Sequence, residues 1–263
     1  MSISLFDLTG KTALVTGGSQ GIGAALSRGL GMAGATIIVN GRTQDKLSSF
    51  VEDLQRQHIK AEQALFDICD PEAIKTTLRQ IEQSIGPIDI LVNNAGIIRR
   101  APAEQLEDKD WNDVIATNLT APFVLCREVG KTMISRRRGK IINICSLMSE
   151  LGRETVTAYA AAKGGLKMLT RNLATEWAAY NIQVNGIGPG YIATPINENY
   201  REKGNPLNDY IISRTPAGRW GTPQDLVGAA IFLASEASDF VNGQILYVDG
   251  GLLTTFGKPY STE

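Results

Sequence analysis

Seven short, mostly apolar runs recur along the chain: Lys11–Thr16, Thr36–Val39, Ala61–Phe66, Ile88–Val92, Lys140–Cys145, Ile182–Ile187 and Gln244–Val248. Unbroken runs this short, rich in β-branched residues, predict strands buried on both faces. Between them lie longer stretches with helical spacing, at about 22–33, 45–57, 71–84, 104–136, 159–180, 207–213 and 223–234. Strand and helix alternate throughout. That pattern predicts an α/β chain, doubly wound, with a seven-stranded parallel sheet and helices on both faces. No repeat, linker or low-complexity tract interrupts it, so 1–263 reads as one domain. Ligands of such a sheet bind beyond the C-terminal ends of the strands.

The residues at those ends carry the candidate chemistry. After the first run comes Thr16-Gly17-Gly18-Ser19-Gln20-Gly21-Ile22-Gly23, then a helix. Strand, glycines and helix in this order form the Rossmann dinucleotide turn: glycines let backbone approach a pyrophosphate, and the helix N-terminus offers N–H groups. The second run ends in Asn40-Gly41-Arg42. An acidic residue for ribose hydroxyls is missing there, and a guanidinium suits a 2′-phosphate, so NADP is favoured, with NAD possible. Asp67 and Ile68 end the third run, and Asn93-Asn94-Ala95-Gly96 the fourth. Asp67 reads either as an acceptor for an adenine amino group or as the start of a turn. Pro122 falls inside the predicted 104–136 helix. It has no N–H for the carbonyl of Asn118, so a bend and a water site are expected there.

Ser146 follows the fifth run. Tyr159 and Lys163 stand four residues apart on one face of the next helix. A free phenol is a poor base at neutral pH, and a neighbouring ammonium favours its ionised form. With a serine hydroxyl to hold an alcohol or carbonyl oxygen, the three residues make a proton-transfer device without histidine.

Composition removes the competing classes. The net charge of −1 gives no electrostatic case for nucleic acid or an anionic membrane. His58 is the sole histidine, which excludes a Ser-His-Asp triad and a multi-histidine metal site. Cys69, Cys126 and Cys145 show neither metal nor disulfide spacing, and Cys145 reads as a buried thiol. The basic run Arg136–Arg138 before Gly139 reads as a solvated helix end. Neither a signal peptide nor a membrane span is apparent, so a cytoplasmic chain is expected.

Together, the glycine turn, Asn93–Gly96, Asn118, Ser146, Tyr159-x-x-x-Lys163 and Pro189-Gly190 resemble the short-chain dehydrogenase/reductase family over essentially the whole chain. Within it, Gly96–Arg100, Ile142–Ser146, Ser149–Glu154, Asn181–Gly186 and Arg214–Gly221 resemble members that act on sugar acids of the gluconate type. The resemblance implies Asn118, Ser146, Tyr159 and Lys163 as the catalytic set, with Tyr159 as acid/base. It implies a dinucleotide held by Gly17, Ser19, Gln20, Gly21, Ile22, Gly23, Arg42, Asp67, Ile68, Asn94, Ala95, Gly96, Tyr159, Lys163, Pro189, Gly190, Ile192 and Thr194. A sugar acid would meet Ser146, Tyr159, Arg153, Arg100 and Glu150, with Glu150 orienting Arg153 or accepting from sugar hydroxyls, under a lid near 191–220. A homotetramer is also implied, with the 104–136 and 159–180 helices between subunits. Ala162 departs from the serine common in relatives. Two other readings stay open: a 3-oxoacyl-thioester reductase with a basic docking patch at Arg201, Lys203 and Arg214, and a silent dinucleotide-binding protein.

Overall fold

The computed structural model describes residues 4–202 and 204–255. All seven predicted strands are present: β1 Thr12–Val15, β2 Thr36–Gly41, β3 Ala61–Leu65, β4 Ile90–Asn93, β5 Gly139–Ile144, β6 Ile182–Pro189 and β7 Ile245–Val248. They form one sheet in the order β3-β2-β1-β4-β5-β6-β7, every pairing parallel. The strand order reverses between β1 and β4, which opens a crevice for a ligand at their C-terminal ends.

Successive side chains on a strand point to opposite faces, and both faces here are covered. Ala13, Val15, Ile37, Val39, Ile90 and Val92 pack with Leu26 and Leu30 of α1 (Gly21–Met32), Leu47 and Leu54 of α2 (Gln44–Arg56) and Leu233. Leu14, Ile38, Leu91 and Ile141 pack on the opposite side. Their partners are Ile74 and Leu78 of α3 (Pro71–Ser84), and a helix ending at Arg136. Double burial is why these strands read as solid apolar runs rather than as alternation.

The predicted 104–136 helix is in fact three pieces. Helix α4 (Asp108–Ile115) runs into a π-helical turn at Ala116–Thr120, and α5 (Ala121–Arg136) follows. Pro122 supplies no N–H to Asn118, and the ladder widens by one residue there instead of simply bending. The basic run is also more than a solvated end. Arg137 takes the left-handed conformation that closes α5, at φ 53°. Arg136 donates from Nη1 to Asp89 Oδ1 (2.8 Å) and from Nη2 to the Ile88 carbonyl (2.7 Å), and Arg138 lies 3.2 Å from the same carboxylate. Asp89 is buried between β1 and α5, and a buried carboxylate requires partnered cations. His58 sits just past α2, also left-handed, at φ 61°. Helices α6 (Thr157–Trp177), α7 (Pro206–Arg214) and α8 (Val227–Ala234) complete the chain.

Candidate active site

A cleft of about 730 Å³ runs along the C-terminal edge of the sheet from β3 to β6. Every site residue expected from the sequence lines it except Asn118 and Glu150.

At one end lies the glycine turn. Gly17 and Gly21 have φ of 58° and 51°, a region that costs glycine little. A Cβ on Gly23 would stand 2.1 Å from the Gly17 carbonyl oxygen, so only glycine lets α1 approach the turn. Gln20 at the head of α1 makes no side-chain cap, which leaves the first N–H groups of a 12-residue helix without a side-chain acceptor. That is what a pyrophosphate requires. Thr16 and Asn94 lock the turn to β4: Thr16 Oγ1 accepts from the N–H groups of Asn94 (2.9 Å) and Ala95 (3.1 Å), and Asn94 Nδ2 donates to the Thr16 carbonyl at 2.9 Å.

Asn40 stands where a ribose-binding acid would be expected, and it is committed elsewhere. It is buried, donates to the Ala64 and Phe66 carbonyls and accepts from Gly17 N–H. Arg42 lies 3.5 Å from Asp67, both well exposed. An exposed pair at that distance is worth ~0–1 kcal/mol, so an arriving phosphate can displace it. Asp67 also accepts from Cys69 N–H at 2.9 Å, so it does begin a turn. Lys46, in the first turn of α2, lines the same cleft and adds a second cation that sequence reasoning missed. On the sequence it is one surface lysine of an amphipathic helix.

The reacting end lies where β5 meets α6. Ser146 follows β5 and begins a 3₁₀ turn, its Oγ accepting from Met148 N–H at 3.1 Å. With that lone pair engaged, the hydroxyl proton remains to donate to a bound oxygen. Lys163 is almost fully buried. It donates to the Ile144 carbonyl at 2.6 Å, and its Nζ lies 5.6 Å from the Tyr159 ring centroid. Ser149 joins the two elements, accepting from Ser146 N–H at 3.3 Å and donating to the Lys163 carbonyl at 2.9 Å. Sequence reasoning gave Ser149 no role, because its link to α6 depends on partners brought together by the fold.

Asn118 lies in the π turn, fully buried. Its side chain donates to the Ile97 carbonyl at 2.7 Å and accepts from Ile97 N–H at 2.8 Å. Tyr159 packs there with Ala158, Ala162, Val114 and Leu119. The alanine at 162 is fully buried, so a hydroxyl at that position would need a partner. Burial pushes the Cys145 thiol up to about 11 and the Cys126 thiol up to about 12, which makes both inert.

The candidate substrate residues separate. Glu150 does not orient Arg153. Both its oxygens accept from Lys167 at 2.6 Å, and Oε1 also accepts from Tyr247 OH at 2.6 Å. Those bonds, Lys167 first, hold its carboxyl below the usual range. Partners 17 and 97 residues away turn it out of the cleft. Arg153 lines the cleft and finds no carboxylate among the described residues. It donates to Tyr191 OH at 3.3 Å and lies over the Tyr191 ring. Arg99 pairs with Asp110 at 3.2 Å, whereas Arg100 is exposed and without a partner among the described residues. Ala101 N–H donates to the Thr155 carbonyl at 3.1 Å, which stitches the two arginine loops together. Thr155 has φ 65°, a strained value for a β-branched residue.

A profile described as short chain dehydrogenase matches residues 11–205. The chain is 56% identical to 2-dehydro-3-deoxy-D-gluconate 5-dehydrogenase of Formosa agariphila, across 100% of both chains. It is 51% identical to 5-keto-D-gluconate 5-reductase of Escherichia coli K12, covering 95% of this chain and 98% of the relative. Its fold matches a gluconate 5-dehydrogenase from Burkholderia cenocepacia J2315, solved with NADP and tartrate. There the TM-score is 0.94 and identity 45%, over 97% of this chain and 100% of that one.

Proposed function

This chain belongs to the short chain dehydrogenase family, and on that premise we propose that it interconverts the C5 alcohol and C5 ketone of a six-carbon sugar acid, with D-gluconate and 5-dehydro-D-gluconate as the first pair. The observation that carries this reading is Arg153, a cation without a counter-ion among the described residues, in the cleft that holds Ser146, Tyr159 and Lys163. A substrate with a carboxylate at one end and a reacting carbon further along needs both a cation and this proton-transfer set in one cleft. The identity to the Formosa enzyme favours a second substrate of the same kind, 2-dehydro-3-deoxy-D-gluconate, which also offers a carboxylate and a C5 alcohol.

In oxidation the alcohol oxygen receives the Ser146 hydroxyl proton as a hydrogen bond, and Tyr159 takes the alcohol's own proton. In reduction Tyr159 returns it. Lys163 stabilises the phenolate form and would hold the nicotinamide ribose by a hydrogen bond. The Asn118 carbonyl, left without an N–H from Pro122, would hold a water that passes the proton on from Lys163. NADP is the cofactor, and when bound its nicotinamide accepts or supplies the hydride. The N–H groups of Gly21 to Gly23 would hold its pyrophosphate, and Arg42 with Lys46 its 2′-phosphate.

Residues 191–220 would act as the lid of this single domain. A cytoplasmic homotetramer fits the apolar side chains left exposed on α5 and α6, Phe123 and Met168 among them. No helix among the described residues is long and apolar enough to cross a membrane. Of the basic patch that the carrier-protein reading needs, Arg201 donates to the Thr194 carbonyl at 3.3 Å, and Lys203 lies outside the described residues.

Arg153→Ala and Arg100→Ala test the assignment. A charge-assisted hydrogen bond contributes ~1.5–3 kcal/mol, so loss of the carboxylate partner should raise KM for D-gluconate by about ten- to a hundredfold. D-glucitol, with an alcohol in place of the acid, should be unaffected. Arg153 is expected to show the larger effect. Unchanged selectivity in both variants would remove the carboxylate argument.

A further inference from the structure

We propose that Tyr191 is the second half of the carboxylate receptor, a specificity-determining residue whose hydroxyl and the Arg153 guanidinium together grip the acid group. The proposal rests on the sugar-acid reading above.

Tyr191 follows Pro189-Gly190 at the end of β6 and lines the cleft, partly exposed. Its phenolic oxygen accepts a hydrogen bond from Arg153 Nη1 at 3.3 Å. An oxygen that accepts with one lone pair keeps its own proton to donate. Among the described residues that proton has no acceptor. Arg153 offers the cleft further N–H donors beside it, and no carboxylate of the described residues neutralises them. An N–H donor and an O–H donor a hydrogen bond apart make a pair that the two oxygens of one carboxylate can satisfy. A neutral CH₂OH group can satisfy only part of it.

The tyrosine is held before any ligand arrives. The Arg153 guanidinium stands 5.7 Å from its ring centroid. Trp220 meets the ring edge-on, with centroids 5.7 Å apart at 70°. Trp220 is itself fixed, its indole N–H donating to Asn208 Oδ1 on α7 at 2.9 Å. The Tyr191 carbonyl accepts from Gly221 N–H at 2.9 Å, next to Trp220 in sequence. A receptor set in advance does not spend binding energy on ordering two long side chains.

The test is a double-mutant cycle on the full chain with NADP⁺ present: wild type, Tyr191→Phe, Arg153→Ala and the double variant, each with D-gluconate and D-glucitol. Phenylalanine keeps the ring against Trp220 and Arg153, so the thermal midpoint should stay put. Tyr191→Phe should raise KM for gluconate about three- to tenfold, leave kcat within about twofold, and leave glucitol unaffected. In the Arg153→Ala background the same change should shrink to under about twofold, because the hydroxyl has lost the group that orients it. If Arg153→Ala raises KM for gluconate and Tyr191→Phe does not, the Tyr191 role is overturned while the sugar-acid reading stands. An equal rise for both substrates would also overturn it, since that marks a structural defect. If Arg153→Ala leaves gluconate unaffected, this proposal is overturned, and Arg100→Ala then decides whether the sugar-acid reading falls with it.

Discussion

Replacing Tyr159 by phenylalanine should lower kcat by about 10²- to 10⁴-fold and change little else. The phenolic oxygen is the only atom removed, and it makes no hydrogen bond with the described residues. Its loss therefore leaves no buried donor or acceptor unpaired, and stability should hold within about 0.5 kcal/mol. The ring keeps its packing on Ala158, Ala162 and Val114. NADPH affinity, measured by fluorescence titration, should stay within about threefold, because a single neutral hydrogen bond is worth little net. A variant that keeps more than about a tenth of the wild-type rate would show that Tyr159 does not transfer the proton.

Lys163→Met should injure both steps. Methionine fills much the same space, so the buried site stays packed, but the charge and its donors are gone. The Ile144 carbonyl, one residue from Cys145 and two from Ser146, loses a 2.6 Å charge-assisted partner. The phenolate form of Tyr159 loses the cation 5.6 Å from its ring. Turnover should fall by about 10²-fold or more. NADPH should bind about ten- to a hundredfold more weakly, the value of one hydrogen bond to a charged group. Stopped-flow binding separates the two effects from steady-state kinetics. Unchanged NADPH affinity would refute the ribose contact, and an undiminished rate would refute the electrostatic one.

Most of the fold was legible because its signals are local. Both faces of β1, β2, β4, β5 and β6 are buried, so these strands show as short apolar runs, whereas the edge strands β3 and β7 are partly exposed; Gly17, Asn94, Ser146 and Pro189 fall at or just past the ends of such runs. Helix α3 was readable to its ends, since Pro71 follows Asp70, whose side chain caps the helix through the Glu72 and Ala73 N–H groups. The π turn at Asn118 was not legible. A single inserted residue hardly disturbs a helical pattern, and only the missing N–H of Pro122 hinted at it. Glu150 was misplaced for a different reason. Its sequence neighbour Arg153 suggested a pair, yet Lys167 and Tyr247 reach it from distant elements. Asp89 likewise draws in the arginines that looked solvated. Tyr191 carried no periodic signal at all, and its role depends on Arg153 and Trp220 meeting it in space.

The central claim is that this cleft oxidises a sugar acid at the carbon remote from its carboxylate. The most direct test is the wild-type rate with NADP⁺ and with NAD⁺ on D-gluconate, 2-dehydro-3-deoxy-D-gluconate and D-glucitol, with each product identified by ¹³C NMR. At least one acid should yield NADPH and a ketone at C5, with kcat/KM about tenfold or more above that of glucitol. A ketone at another carbon, or glucitol turned over as efficiently as both acids, would contradict it.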